Sequence, residues 1–166
     1  MRRSSRLLLI GLSLGLAYVM RMQPFVGGML LVSVGLLIYG HFRYGAVPAA
    51  FRAARNGRLG AAQAALEESA SDWLAPAMVA YAEWVRAVLA EADGRLLAAA
   101  DHMERADVDA LRRNDRAVLR ATRAAVMARL NDRAGAEEAL EAARELQPTG
   151  KAAAIVARVS KDLAAL

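Results

Sequence analysis

Residues 56–62 read Asn56-Gly57-Arg58-Leu59-Gly60-Ala61-Ala62, and 37 positions later the chain reads Asp93-Gly94-Arg95-Leu96-Leu97-Ala98-Ala99. A looser copy, Leu130-Asn131-Asp132-Arg133-Ala134-Gly135-Ala136, follows at the same offset. Glycine or asparagine in such a turn supplies the left-handed backbone that ends a helix. The register extends outward from the turns. Downstream, Ala62, Ala99 and Ala136 correspond, as do Leu66, Met103 and Leu140, and Ser69, Ala106 and Ala143; upstream, Ala50, Ala87 and Ala124 fall in line. Small residues at fixed positions let two helices cross closely, and the Leu or Met one turn later fills the adjoining space. A lone hairpin cannot bury its apolar face, so repeated hairpins are expected to stack into one continuous core.

The flanking sequence is helical in composition, rich in Ala, Leu, Glu and Arg and free of strand-like alternation. Helices are expected over Pro48–Arg55, Leu59–Ser69, Pro76–Glu91, Arg95–Arg105, Asp109–Leu130, Ala134–Leu146 and Lys151–Leu163. Ser71 or Asp72 is a candidate cap for the third, and Thr149 for the last. Ile155, Val156, Val159 and Leu163 share one face of that last helix, which suits the closing end of a stack.

The Gly-Arg-Leu-x-x-Ala turns resemble the Gly-Asp-Tyr-x-x-Ala turns of tetratricopeptide repeats (TPR). The stretch Gly135–Pro148, GAEEALEAARELQP, resembles the second helix of such a repeat with its closing proline. The resemblance covers about 47–148, with 149–166 resembling the end helix of that family. It implies about three repeats forming a concave groove for protein segments. The period is 37 against the family's 34. Glu83, Arg86, Arg120 and Arg123 also stand where apolar residues belong in the family's first helices.

Towards the N-terminus the sequence changes character. Between Leu7 and Phe42 the only charged residue is Arg21. Two apolar runs, Leu7–Met20 and Phe25–Phe42, flank Arg21-Met22-Gln23-Pro24. As helices they would reach about 21 Å and about 27 Å at ~1.5 Å per residue, against a hydrocarbon core of roughly 30 Å. Pro24 disfavours helix at Gln23 and suits the first turn of a new helix. These features predict a transmembrane hairpin over residues 1–46, with spans of about 5–22 and 24–43, and a helical domain over 47–166. Arg2, Arg3 and Arg6 precede the first span, and Arg43, Arg52, Arg55 and Arg58 follow the second. The positive-inside rule then places both termini in the cytoplasm. A cleaved secretory signal is the rival reading of the first run, but no A-x-A-like site follows it. Gly11 and Gly15 on the first span, and Gly28 and Gly35 on the second, are candidates for close packing of the spans.

The charge balance removes one class of function. Four of the 22 basic residues, Arg2, Arg3, Arg6 and Arg21, belong to the anchor, so 18 face all 17 acidic residues beyond it. The pI near 10.2 therefore reflects the flanks of the spans rather than a nucleic-acid surface. The chain has no cysteine, which excludes disulfides and thiol chemistry. Arginine outnumbers lysine and alanine saturates the tail, a bias common in GC-rich bacterial genomes; the expected location is a bacterial inner membrane.

No phosphate loop, nucleophile elbow, dinucleotide fingerprint or H-E-x-x-H spacing is present. His41 and His102 lack ligand spacing. No enzyme, metal, cofactor or small-molecule substrate is expected. Leu111, Val118, Leu119, Thr122, Ala125 and Val126 are expected on one side of a helix, with Arg112, Arg116, Arg120 and Arg123 opposite and Arg113 beside them. The stripe suits an acidic protein segment or anionic headgroups. Charge runs are more commonly solvated faces, here neutralised in part by Glu137, Glu138, Glu141 or Asp115. Trp73, Tyr81 and Trp84 are expected in the core, with a surface anchor as the alternative for Trp73 in its loop beside Pro76; Tyr18, Tyr39 and Tyr44 are expected at membrane interfaces. The whole reads as a membrane-anchored scaffold for other proteins. The alternatives are a small structural subunit that binds through its spans, and a relative of the haem-biosynthesis-associated HemY family. That last likeness lies in two N-terminal spans followed by such repeats, in a chain shorter than those proteins usually are.

Overall fold

A computed structural model of the chain describes residues 8–9, 11–12, 14–16, 18, 24–69, 73–106 and 108–165. Among them every regular element is a helix. Helix α1 is Pro24–Tyr44, α2 Val47–Arg55, α3 Leu59–Glu68, α4 Pro76–Ala92, α5 Leu96–Arg105, α6 Arg113–Arg129, α7 Arg133–Glu145 and α8 Gly150–Ala164; a single 3-10 turn, Val108–Ala110, precedes α6. Described residues between 8 and 18 are also helical. The candidate caps Ser71 and Asp72 lie outside the described residues.

The 37-residue period is visible in the backbone. Gly57, Gly94 and Asn131 take positive φ values of 71°, 76° and 60°. At each, the next amide closes the helix end: Arg58 N–H donates to Ala53 O at 2.9 Å, Arg95 to Ala90 O at 2.8 Å, and Asp132 to Met127 O at 3.0 Å. The amides of Gly57, Gly94 and Asn131 donate to Ala54 O, Glu91 O and Ala128 O. This is the Schellman arrangement, made three times. A Cβ at Gly57 or Gly94 would meet nothing within 4 Å. Glycine is there for its backbone freedom, which another L-residue matches at a cost of roughly 1–2 kcal/mol. The carbonyls of Arg58, Arg95 and Asp132 then start α3, α5 and α7 by accepting from Ala62, Ala99 and Ala136.

The period also places the core. Ala50, Ala87 and Ala124 are fully buried in α2, α4 and α6, and Ala62, Ala99 and Ala136 in α3, α5 and α7. Each second helix packs on the first helix of its hairpin, so α3 lies on α2, α5 on α4 and α7 on α6; α2 also packs on α4, α5 on α6, and α8 on α6 and α7. Three apolar clusters result. Val47, Ala50, Leu66, Ala82 and Val85 fill the first. Trp84, Ala87, Met103, Leu119 and Val126 fill the second. Ala117, Ala121, Leu140, Val156 and Leu163 fill the third.

Helix α6 buries the expected Leu119 and Val126 and a second face besides. Its apolar residues do not share one face: Leu119 and Val126 enter the second cluster, whereas Ala117, Ala121 and Ala124 enter the third. At 100° per residue these sets lie on opposite sides of the helix. α6 is thus sandwiched, and its two remaining sides carry Val118 and Thr122 on one, and Arg116, Arg120 and Arg123 on the other.

Helix α1 is long and apolar enough to cross a membrane, with 20 residues from Phe25 to Tyr44 and 11% of its apolar window buried. Gly11, Gly15, Gly28 and Gly35 are exposed, and a Cβ on any of them would meet nothing within 4 Å. The covered face of α1 instead carries Gly27, Leu30 and Val34. Any close approach at Gly28 and Gly35 is therefore left to something outside this arrangement.

At Gly45 (φ 53°) α1 gives way to α2. The Ser69 hydroxyl accepts from Ala46 N–H at 2.7 Å and donates to Ala65 O at 2.9 Å. The amide of Ala75 donates to Arg43 O at 2.8 Å. The apolar helix is thereby fastened to the first hairpin.

Candidate functional site, a groove along the first helices

The first helix of each hairpin contributes to one open groove of about 470 Å³. Its apolar lining comes from Phe51 on α2, Trp84 and Val88 on α4, Val118 on α6 and Ile155 on α8. The lining repeats with the fold, since Val118 and Ile155 are 37 positions apart, as are Phe51 and Val88, and Asn114 and Lys151. Polar and charged side chains share the lining: Arg55, Asn114, Asp115, Thr122, Thr149 and Lys151. A mainly apolar trough with polar groups among its lining is the usual chemistry of a peptide or ligand cleft.

An aromatic cluster builds one wall. Phe51 meets Tyr81 edge-on with ring centres 4.9 Å apart and Trp84 at 5.0 Å; Tyr81 and Trp84 stack at 6.3 Å. Trp84 is 6% exposed, so the expectation of core packing holds for it. The Tyr81 hydroxyl donates to Asp115 across to α6. Burial, and then the Asp115 carboxylate, raise the Tyr81 phenol well above its ordinary range. The neutral phenol therefore persists as a donor, and it uses Asp115 internally. Trp73 departs from the expected core packing: it is 75% exposed.

The arginine stripe divides. Arg112 is exposed on the solvent side. Arg113 donates to Leu146 O, and to Gln147 O at 3.0 Å, so it satisfies the carboxyl end of α7. Arg116 donates to Asp109 at 2.9 Å, Arg120 to Ala142 O at 3.2 Å, and Arg123 faces Glu104 at 3.9 Å. The last two line a separate cavity of about 380 Å³ between α6 and α7, with Asp132 and Glu138 also on its walls. The stripe is neither a free basic surface nor a simple solvated face; most of it ties α6 to its neighbours.

The polar residues that break the family pattern have an explanation here. Glu83 and Arg120 occupy equivalent positions, and each reaches the second helix of its own hairpin. Glu83 pairs with His102 of α5 at 2.8 Å and with Arg86. Burial alone would raise the Glu83 pKa, but the His102 and Arg86 partners outweigh it and hold the carboxyl below its usual value. The two candidate site sets from the sequence thus lie away from the groove. Its lining was missed, although the 37-residue recurrence of Val118 and Ile155 was the signal that marks it. Comparison of the chain with protein-family models, with curated proteins and with solved structures found no match to any of them.

Proposed function

We propose that the chain is a membrane-anchored scaffold with a TPR-like stack of three helical hairpins and a closing helix. In this reading two antiparallel spans sit in a bacterial inner membrane, with both termini in the cytoplasm. The groove along α2, α4, α6 and α8 holds a segment of a partner protein without transforming it. The observation that carries this reading is the apolar groove whose lining recurs with the structural period. The length and exposure of α1 support the anchor.

The test is photocrosslinking in cells from single positions of the full-length protein. A photoreactive residue at Val118, in the groove, should yield protein adducts; one at Leu97, which is 75% exposed on α5, should not. Equal labelling from both positions would count against the groove. A second reading, a structural subunit that binds through its spans, draws on the exposed Gly28 and Gly35, whose open faces leave room for another helix. Adducts from Gly28 with none from Val118 would favour it.

A further inference from the structure

Trp73 is the most exposed large aromatic side chain of the helical domain, at 75%, and its position is fixed by the end of α1. Ala75, two residues on, donates its amide to Arg43 O at 2.8 Å. A Cβ at Gly45 would lie 3.3 Å from Leu74 Cδ2, so Leu74 rests on the turn between α1 and α2. Ser69, at the other end of the same loop, holds Ala46 N–H at 2.7 Å. Ser69 and Ala75 are thus both bonded to the chain at the end of α1. Two residues of chain extend about 7 Å at most, which bounds how far Trp73 can stand from that level.

The dimensions then decide the surroundings. From Phe25 to Tyr44, α1 has 20 residues, about 30 Å of helix, which matches the roughly 30 Å hydrocarbon core. Arg43 and Tyr44 fall at its boundary, and the headgroup layer adds about 5–7 Å on each side. Phe42 and Tyr44 are each 51% exposed at this level. Arg52 and Arg55 are exposed on α2, within about 12 Å of its start by helix rise. An indole beside tyrosine and arginine at one depth matches the composition of a membrane interface.

We propose that the segment 73–75 makes a further membrane contact, with Trp73 inserted among the headgroups of the bilayer that α1 crosses. The proposal rests on the membrane reading of α1 given above. Its consequence is orientation. The spans limit the tilt of the domain only through its bonds to the end of α1, whereas a contact of Trp73 with the bilayer itself restricts the tilt further and so the direction in which the groove opens.

The test uses the full-length chain in vesicles of mixed neutral and anionic phospholipid, with and without lipid brominated near the top of the acyl chain. Trp73 and Trp84 are the only tryptophans, and Trp84 is buried in the domain core. Brominated lipid should quench roughly half of the wild-type emission, as expected for one of two indoles at the interface, and should leave the Trp73→Phe variant nearly unchanged. The proposal is overturned if the protein floats with the vesicles while wild-type emission ignores bromolipid and responds to aqueous iodide; Trp73 would then face solvent or a protein partner. Failure to float would overturn the membrane reading itself, which separates the two outcomes.

Discussion

Replacing Val32 and Leu36 together with aspartate should move the C-terminal domain across the membrane. Both side chains are more than 60% exposed on α1, so the change breaks no packing within the chain. Each aspartate near the centre of a span adds roughly 2.5–3.5 kcal/mol against insertion, so the pair adds about 5–7 kcal/mol. In the proposed hairpin the second span is then lost, while the first, with Arg2, Arg3 and Arg6 before it, still anchors the chain. A single span with its N-terminus in the cytoplasm delivers everything beyond it to the other side. A C-terminal alkaline phosphatase fusion, inactive on the wild-type chain, should become active on the double variant. Unchanged reporter activity would show that α1 does not cross the bilayer.

The second large effect concerns the domain core. Trp84→Ala removes the indole that packs against Phe51 at 5.0 Å and Tyr81 at 6.3 Å, in the cluster that joins α4, α5 and α6. Truncating a buried aromatic of this size costs about 3–5 kcal/mol. For a domain of about 120 residues, that corresponds to a fall in thermal midpoint of about 10–20 °C. Circular dichroism of the full-length protein in mild detergent would measure it. The matched control is Trp73→Ala, 75% exposed, which should lose far less stability than Trp84→Ala in detergent. Equal losses from the two variants would contradict the burial assigned to them.

These two tryptophans also mark where the sequence was legible. Spacing placed Trp84 in a helix inside the repeat, and helical period alone carries such a residue into the core. Trp73 sits outside the period, in a loop beside Pro76, where the sequence leaves core packing and a surface anchor both open; it is 75% exposed. The turns were legible for a different reason. Gly57, Gly94 and Asn131 are local requirements of backbone geometry and leave a trace in composition. Composition alone starts α6 at Asp109, whereas the helix begins at Arg113 after a separate 3-10 turn, Val108–Ala110.

Alanine explains the misreading of α6. Ala117, Ala121 and Ala124 are fully buried, but they bury little area each, so a search for an apolar stripe gives weight to Val118 and Thr122 instead. Those two residues face the groove, while the arginines opposite them join helices. The expected core face is split: Leu111, Leu119 and Val126 are core, whereas Val118 and Thr122 open on the groove, and most of the arginine stripe joins helices. On α1, the covered glycine is Gly27 rather than Gly28 or Gly35. One residue is a rotation of about 100° on a helix, and a nearly uniform apolar run contains nothing to set that angle.

An anchored stack of helical hairpins working on the cytoplasmic side is open to protease protection of the C-terminal domain in oriented membrane vesicles. Digestion of the domain in inside-out vesicles, with protection in right-side-out vesicles, is the predicted result. Digestion in right-side-out vesicles with protection in inside-out ones, or loss of the chain from the membrane fraction, would contradict the account.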